Sequence, residues 1–177
     1  MPTYFTYFIS SLPMLHFGAR PPFSYTRFLK MAEGLIPETD IELFSRLPRL
    51  DVESMPSVQN ETIDRYFEFE KMLRNELVRV RSQRRHLDPA KYLRGDGYTE
   101  LTITHLIQNA LRNPSIIEAE KMLDAARWEF LDGLAAGHYF DTEFLTVYAY
   151  KLLLLERWER IRAADQPRLL EEALTAN

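Results

Sequence analysis

Apolar side chains recur every three or four positions over most of this chain, the period of a helix with one buried face. In "ETIDRYFEFEKMLRNELVRVRSQRRHL" the residues Ile63, Tyr66, Phe69, Leu73, Leu77 and Val80 follow that spacing behind Asn60, a residue type that accepts from the free N–H groups of a first helical turn. The segment predicts a helix of about seven turns at about 1.5 Å per residue. A second helix is predicted from Ser24, with Phe28, Leu29, Ala32 and Leu35 inward and Gly34 and Pro37 as its end. A shorter one follows, capped by Asp40, lined by Ile41, Phe44 and Leu47 and stopped by Pro48. The period disappears in "RLDVESMPSVQN", which reads as a loop.

Beyond residue 85 the pattern resumes in shorter pieces. "DPAKYL" restarts a helix with Asp88 as cap and Pro89 in its first turn, and Gly95 and Gly97 break it. "TELTITHLIQNALRN" predicts a further helix. Asn113 caps the next, with Pro114 in the first turn, Ile117, Met122, Ala125, Ala126, Phe130, Leu131 and Leu134 inward, and Gly137 as the stop. Asp141 then caps "TEFLTVYAYKLLLLERWERIRAA", which is apolar nearly all round from Phe144 to Leu155 and so belongs in the centre of a bundle. A terminal turn of helix is expected after Asp165 and Pro167. Only "TYFTYFI", residues 3–9, has the aromatic and β-branched content of an extended segment.

These elements predict an all-α protein: a compact bundle of about six to eight helices with an extended N-terminal arm. At 177 residues it reads as a single domain, with the arm over 1–23, short helices and a loop over 24–59, and a main helical body over 60–177.

Composition narrows the function classes. A hydrophobic fraction of 46% supplies a core, and a net charge of −4 argues against a protein whose main task is coating phosphates. Without cysteine there is no disulfide, thiolate metal site or cysteine nucleophile, which fits a reducing compartment, and the expected location is the cytoplasm. "MPTYFTYFISSLPML" lacks a basic n-region and is not expected to be a signal peptide. The most apolar run, "LTVYAYKLLLLERW", contains Lys151 and is shorter than the ~20 residues a membrane span needs, so direct membrane insertion is not expected.

Candidate chemistry is sparse. Glu68 and Glu70, and likewise Glu118 and Glu120, are two apart, so on a helix the members of each pair point about 200° from each other and cannot share a proton. Glu70 and Glu120 lie among apolar neighbours, where a carboxylate needs an arginine partner. His16, His86, His105 and His138 form no metal-binding spacing, and His138 with Asp141 reads as a turn and its cap. No phosphate-cradling glycine loop or nucleophile elbow occurs, so no catalytic, cofactor or metal residue is assigned. Trp128, Trp158, Tyr139, Phe140, Tyr148 and Tyr150 read as core. Arg74, Arg81 and Arg85 fall in one stripe, about 20° to 40° apart. With Arg20 on the arm, they are the candidate protein-docking residues, and an acidic protein surface suits them better than RNA because the chain itself is acidic.

Two stretches resemble a known family. "SSLPMLHFGARPPFSYTRFL" is similar to the opening of a family encoded beside V-type (A/V-type) ATPase subunits in bacteria. "AEKMLDAARWEFLDGLAAGHYFDTEFLTVYAYKLLLLERW" is similar to its ending and, more distantly, to the helical units of the ATPase C subunit, through Trp128, Phe140, Asp141, Tyr150, Lys151, Leu152 and the Glu156, Arg157, Trp158 triplet. "YFEFEKMLRNELVRVRSQR" looks like the family's middle helix. The resemblance implies a non-enzymatic accessory or structural subunit, or an assembly factor, of a V-type ATPase. Its partners would be rotor-shaft or membrane-ring subunits, and it would be held at the inner membrane through that complex. The C subunit is longer and has three such units arranged as a funnel, which a single shorter unit does not form. Two other expectations stand beside this one: a standalone ligand-binding module or enzyme around Glu70, Glu120, His105 and Tyr148, and an RNA-associated protein using the Arg74 to Arg85 face.

Overall fold

A computed structural model describes residues 5–50 and 60–175, with side chains up to residue 164. Among the described residues the protein is all-helical, with seven α-helices and no strand: α1 Thr6–Ser11, α2 Tyr25–Ala32, α3 Glu38–Arg46, α4 Glu61–Arg84, α5 Leu101–Arg112, α6 Ile116–Leu134 and α7 Thr142–Thr175. Single 3-10 turns occur at Leu47–Arg49 and Pro89–Lys91. The chain divides into two compact units, Met1–Arg49 with Leu134–Asn177, and Leu50–Gly133. Residues 51–59 of the expected loop lie outside the described residues.

The first unit corrects the expectation of an extended segment over residues 6–9, which are helical because α1 begins at Thr6; residues 3 and 4 of that expectation lie outside the described residues. Phe5, Phe8 and Ile9 are buried at i, i+3 and i+4, and a helix satisfies its own backbone where a lone strand has no neighbour to pair with. α1 ends at Leu12, whose extended conformation is the one favoured before a proline, here Pro13. α2 starts where expected, Ser24 Oγ accepting from Arg27 N at 3.2 Å. Leu35, expected on its inner face, is 45% exposed beyond Gly34, and Ile36 is buried instead. α3 begins at Glu38 behind Pro37 rather than at Asp40, which places Asp40 inside the first turn, beside the positive end of the helix.

Phe28 is fully buried at the middle of this unit, and its ring lies 5.7 to 6.1 Å from those of Phe8, Tyr25, Phe44 and Tyr148. Four helices therefore meet on one side chain. α7 is buried on every side from Leu145 to Tyr150, as its all-round apolar sequence predicts. Asp141 caps it, Oδ1 accepting from Phe144 N at 3.0 Å. Its backbone stays helical to Thr175, so the terminal turn expected after Pro167 is a continuation of α7. Proline in a helix removes one hydrogen bond without forbidding the next turn.

In the second unit α4, α5 and α6 share a core of Phe69, Leu73, Ile103, Ile107, Ala110 and Leu123, with the Phe69 and Phe130 rings stacked 4.2 Å apart. Asn60 caps α4 as predicted, accepting from Ile63 N at 2.9 Å. α6 starts two residues later than Asn113 and Pro114 led us to expect. Asn113 Oδ1 accepts from Ser115 N, and Ser115 Oγ, accepting from Glu118 N at 3.3 Å, is the helix cap. The residue before a proline favours extended backbone, which keeps Asn113 out of the helix.

The end of α4 is a six-residue lock. Leu87 N donates to Ser82 O at 2.9 Å and His86 N to Gln83 O at 3.3 Å, the paired bonds of a Schellman turn, with His86 in the left-handed position at φ 54°. Glycine holds that conformation without the Cβ penalty that an exposed histidine carries. His86→Gly is therefore expected to stabilise the protein by about 1 kcal/mol, read as a higher denaturant midpoint at unchanged slope.

Candidate functional site

In the first unit the arm is fastened to α7 by side chains whose polar atoms point at backbone. Tyr148 Oη donates to Pro13 O at 3.0 Å, and Arg162 donates through Nη1 to Gly18 O and through Nη2 to Ala19 O, at 3.1 and 3.2 Å. Tyr25 N donates to Glu156 Oε1 at 2.7 Å, which sets a carboxylate on the N-terminal end of α2, where the helix dipole favours negative charge. Tyr25 Oη donates to Phe44 O at 2.8 Å. Burial pushes the Tyr25 phenol pKa well up, with Tyr150 and Glu156 adding to it, and burial likewise raises Tyr148. Both phenols stay protonated and act as hydrogen-bond donors. Arg20, a candidate docking residue, is exposed on this arm, its Nε 3.8 Å from Glu159 Oε1.

At the start of α7, His138, Asp141 and Glu143 bring one ligand atom each within 4.8 Å of one another. Asp141 already uses both oxygens, Oδ1 on Phe144 N and Oδ2 on His138 Nδ1 at 2.7 Å. This is the capped turn that the spacing predicts. Asp40 joins it from α3, Oδ2 accepting from Thr142 Oγ1 at 3.4 Å. Burial raises the Asp40 pKa above the usual carboxylate value, the Thr142 bond opposes the rise and the Glu143 charge adds to it.

The second unit answers the question of the inward carboxylates. Arg127 reaches Glu70 with two parallel bonds, Nε to Oε1 at 2.5 Å and Nη2 to Oε2 at 3.1 Å, and holds Asp124 Oδ1 through Nη1 at 2.8 Å. The Asp124 side chain is fully buried, and those of Arg127 and Glu70 are 16% and 21% exposed. Burial works against the guanidinium charge, but Glu70 and then Asp124 overcome it and raise the Arg127 pKa. Glu68 points outward and pairs with Lys71, so the two-residue spacing separates the carboxylates as expected. Glu70 is thus held by Arg127, and His105 is exposed on α5.

α4 presents three faces. Leu73, Leu77 and Val80 pack in the core, and Asn75, Arg79 and Ser82 hold the following segment. Asn75, fully buried, clasps the backbone of Arg94, Nδ2 donating to Arg94 O at 3.0 Å and Oδ1 accepting from Arg94 N at 2.9 Å. Arg79 bonds Gly97 O and Glu76, and Arg84 reaches Leu111 O at 3.5 Å. The third face carries Arg74, Arg81 and Arg85, all exposed, as the stripe predicts. Trp128, Trp158, Tyr148 and Tyr150 are buried as expected, whereas Tyr139 and Phe140 are 68% and 39% exposed, because they lie in the turn before α7.

These features define a protein that is all-helical among the described residues, with two compact units and with the inward Glu70 and Asp124 paired to Arg127. No helix among the described residues is long and apolar enough to cross a membrane. Residues 96–169 match a family described as "Protein of unknown function (DUF2764)". No curated protein and no solved structure matches the chain.

Arg127→Met removes the guanidinium that pairs Glu70 and the buried Asp124, and is expected to cost about 3 kcal/mol in urea unfolding. The Asp40 carboxyl, followed by NMR titration, is expected above the ordinary carboxylate value of 3.8 and to fall towards it in Glu143→Gln. Because its folded pKa lies above the unfolded one, Asp40 contributes stability when protonated, and that contribution is lost as pH rises through the folded value.

Proposed function

We propose that this chain is a non-catalytic accessory or structural subunit, or assembly factor, of a bacterial V-type ATPase, located in the cytoplasm and peripheral to the inner membrane through that complex. One observation carries the reading. The first of the stretches that resemble the ATPase-associated family is bonded to the later part of the second, on α7, within one unit: Tyr148 holds Pro13 and Glu156 holds Tyr25, while Arg162, just beyond that stretch on the same helix, holds Gly18 and Ala19. Glu156, one of the positions that carry the resemblance, thus has a packing partner in the first stretch. Phenols held as donors and carboxylates paired to arginine suit a rigid coupling piece, because each polar group acts on this chain's own backbone or charges.

A tagged chain used as bait on detergent-solubilised native membranes is expected to retain the catalytic and rotor subunits of the ATPase. Recovery of the bait alone, from membranes in which the ATPase is intact, overturns the assignment.

A further inference from the structure

We propose that the Arg81 and Arg85 face of α4 is a docking site for an acidic helical segment of another protein. The chain carries a net charge of −4, yet residues 79–94 contain six lysines and arginines against the single acid Asp88. Charge this concentrated, in a chain that is acidic elsewhere, selects a partner of opposite sign.

The arginines in this region divide by task. Arg79 is fastened to Gly97 O and Glu76, and Arg84 reaches Leu111 O. The Arg81 and Arg85 side chains are exposed and make no hydrogen bond or ion pair with any described residue. Arg81 in the last turn of α4 and Arg85 at its C-cap complement the helix dipole, and their forks remain exposed beside carbonyls that already receive the His86 and Leu87 N–H groups.

Geometry favours a helix as the occupant. Arg81 and Arg85 are one turn apart, about 6 Å along the axis. Carboxylates at i and i+4 on a partner helix have the same repeat and match the planar forks of two arginines. Half-buried Val78 lies on the same stripe, and Leu87, 47% exposed, follows the end of the helix and offers apolar contact beside the charges. The rigid Asn75–Arg94 clasp and the Schellman turn fix this end of α4, so little ordering is needed on docking.

The test uses the full chain and a lactam-locked helical peptide with glutamates in an i, i+4 ladder, alongside a peptide of the same composition with glutamates at i, i+2, and a single-stranded RNA. Anisotropy titrations are expected to show the ladder peptide binding best, with a loss of about tenfold in Arg81→Glu/Arg85→Glu and a smaller loss in Arg81→Lys/Arg85→Lys, which keeps the charge and removes the fork. Unchanged circular dichroism melting keeps the comparison fair, and the lysine variant decides the matter if the reversal unfolds. Equal binding of the two peptides, no effect of the reversal, tighter binding of RNA, or self-association abolished by the reversal each overturn the proposal. The peptide result does not depend on the ATPase assignment, which stands or falls with the membrane bait.

Discussion

The first unit depends on α7 being apolar all the way round. A helix with no polar face has to be wrapped, and Leu145 to Tyr150 are buried on every side. Phe28 sits against Tyr148 of α7 and joins it to Phe8, Tyr25 and Phe44, so the short helices α1 to α3, too short to be stable alone, acquire their order from tertiary packing. The coil between α1 and α2 has carbonyls that no helix can satisfy, and α7 supplies the donors from Tyr148 and Arg162. The same helix thus provides the apolar surface that collects the arm and the polar groups that hold it in one place.

The second unit solves a different problem, that of charge inside a small core. Asp124 is fully buried and Glu70 mostly so, and one guanidinium serves both. Its planar fork takes Glu70 with two parallel bonds and leaves a further nitrogen for Asp124, which a lysine could not do. Asn75 plays the corresponding neutral part, replacing the missing backbone partners of Arg94 with a single buried amide. Together with Arg79 it fixes the segment beyond α4, and Arg74, Arg81 and Arg85 are exposed on the outer face of that helix.

Much of this was legible along the chain, because helices and their ends are decided within a few residues. Ser24, Asn60, Asp88 and Asp141 cap the turns they were expected to cap, since a side-chain oxygen needs only an N–H two or three positions away. The misreadings also have local causes. An aromatic, β-branched run reads as extended when its i, i+3, i+4 burial is unseen, and Asn113 and Asp40 were displaced as caps by the geometry that Pro114 and Pro37 impose. The exposed arginine stripe was visible because helical angle alone fixes it. The division of labour among the arginines was not, because Arg79 and Arg84, which bond Gly97 and Leu111 carbonyls, look no different in sequence from Arg81 and Arg85.

The sequence by itself determined the all-helical class, the positions of most helices and the division of α4 into a core side and a basic side, all of which follow from spacing along one strand of chain. Only the tertiary structure decided that Glu70 turns inward to an arginine 57 residues away, that α7 holds the arm by its carbonyls, and that the chain forms two units. Those contacts join residues far apart in sequence, so their partners are fixed by packing and charge pairing in three dimensions and leave no periodic signal to read.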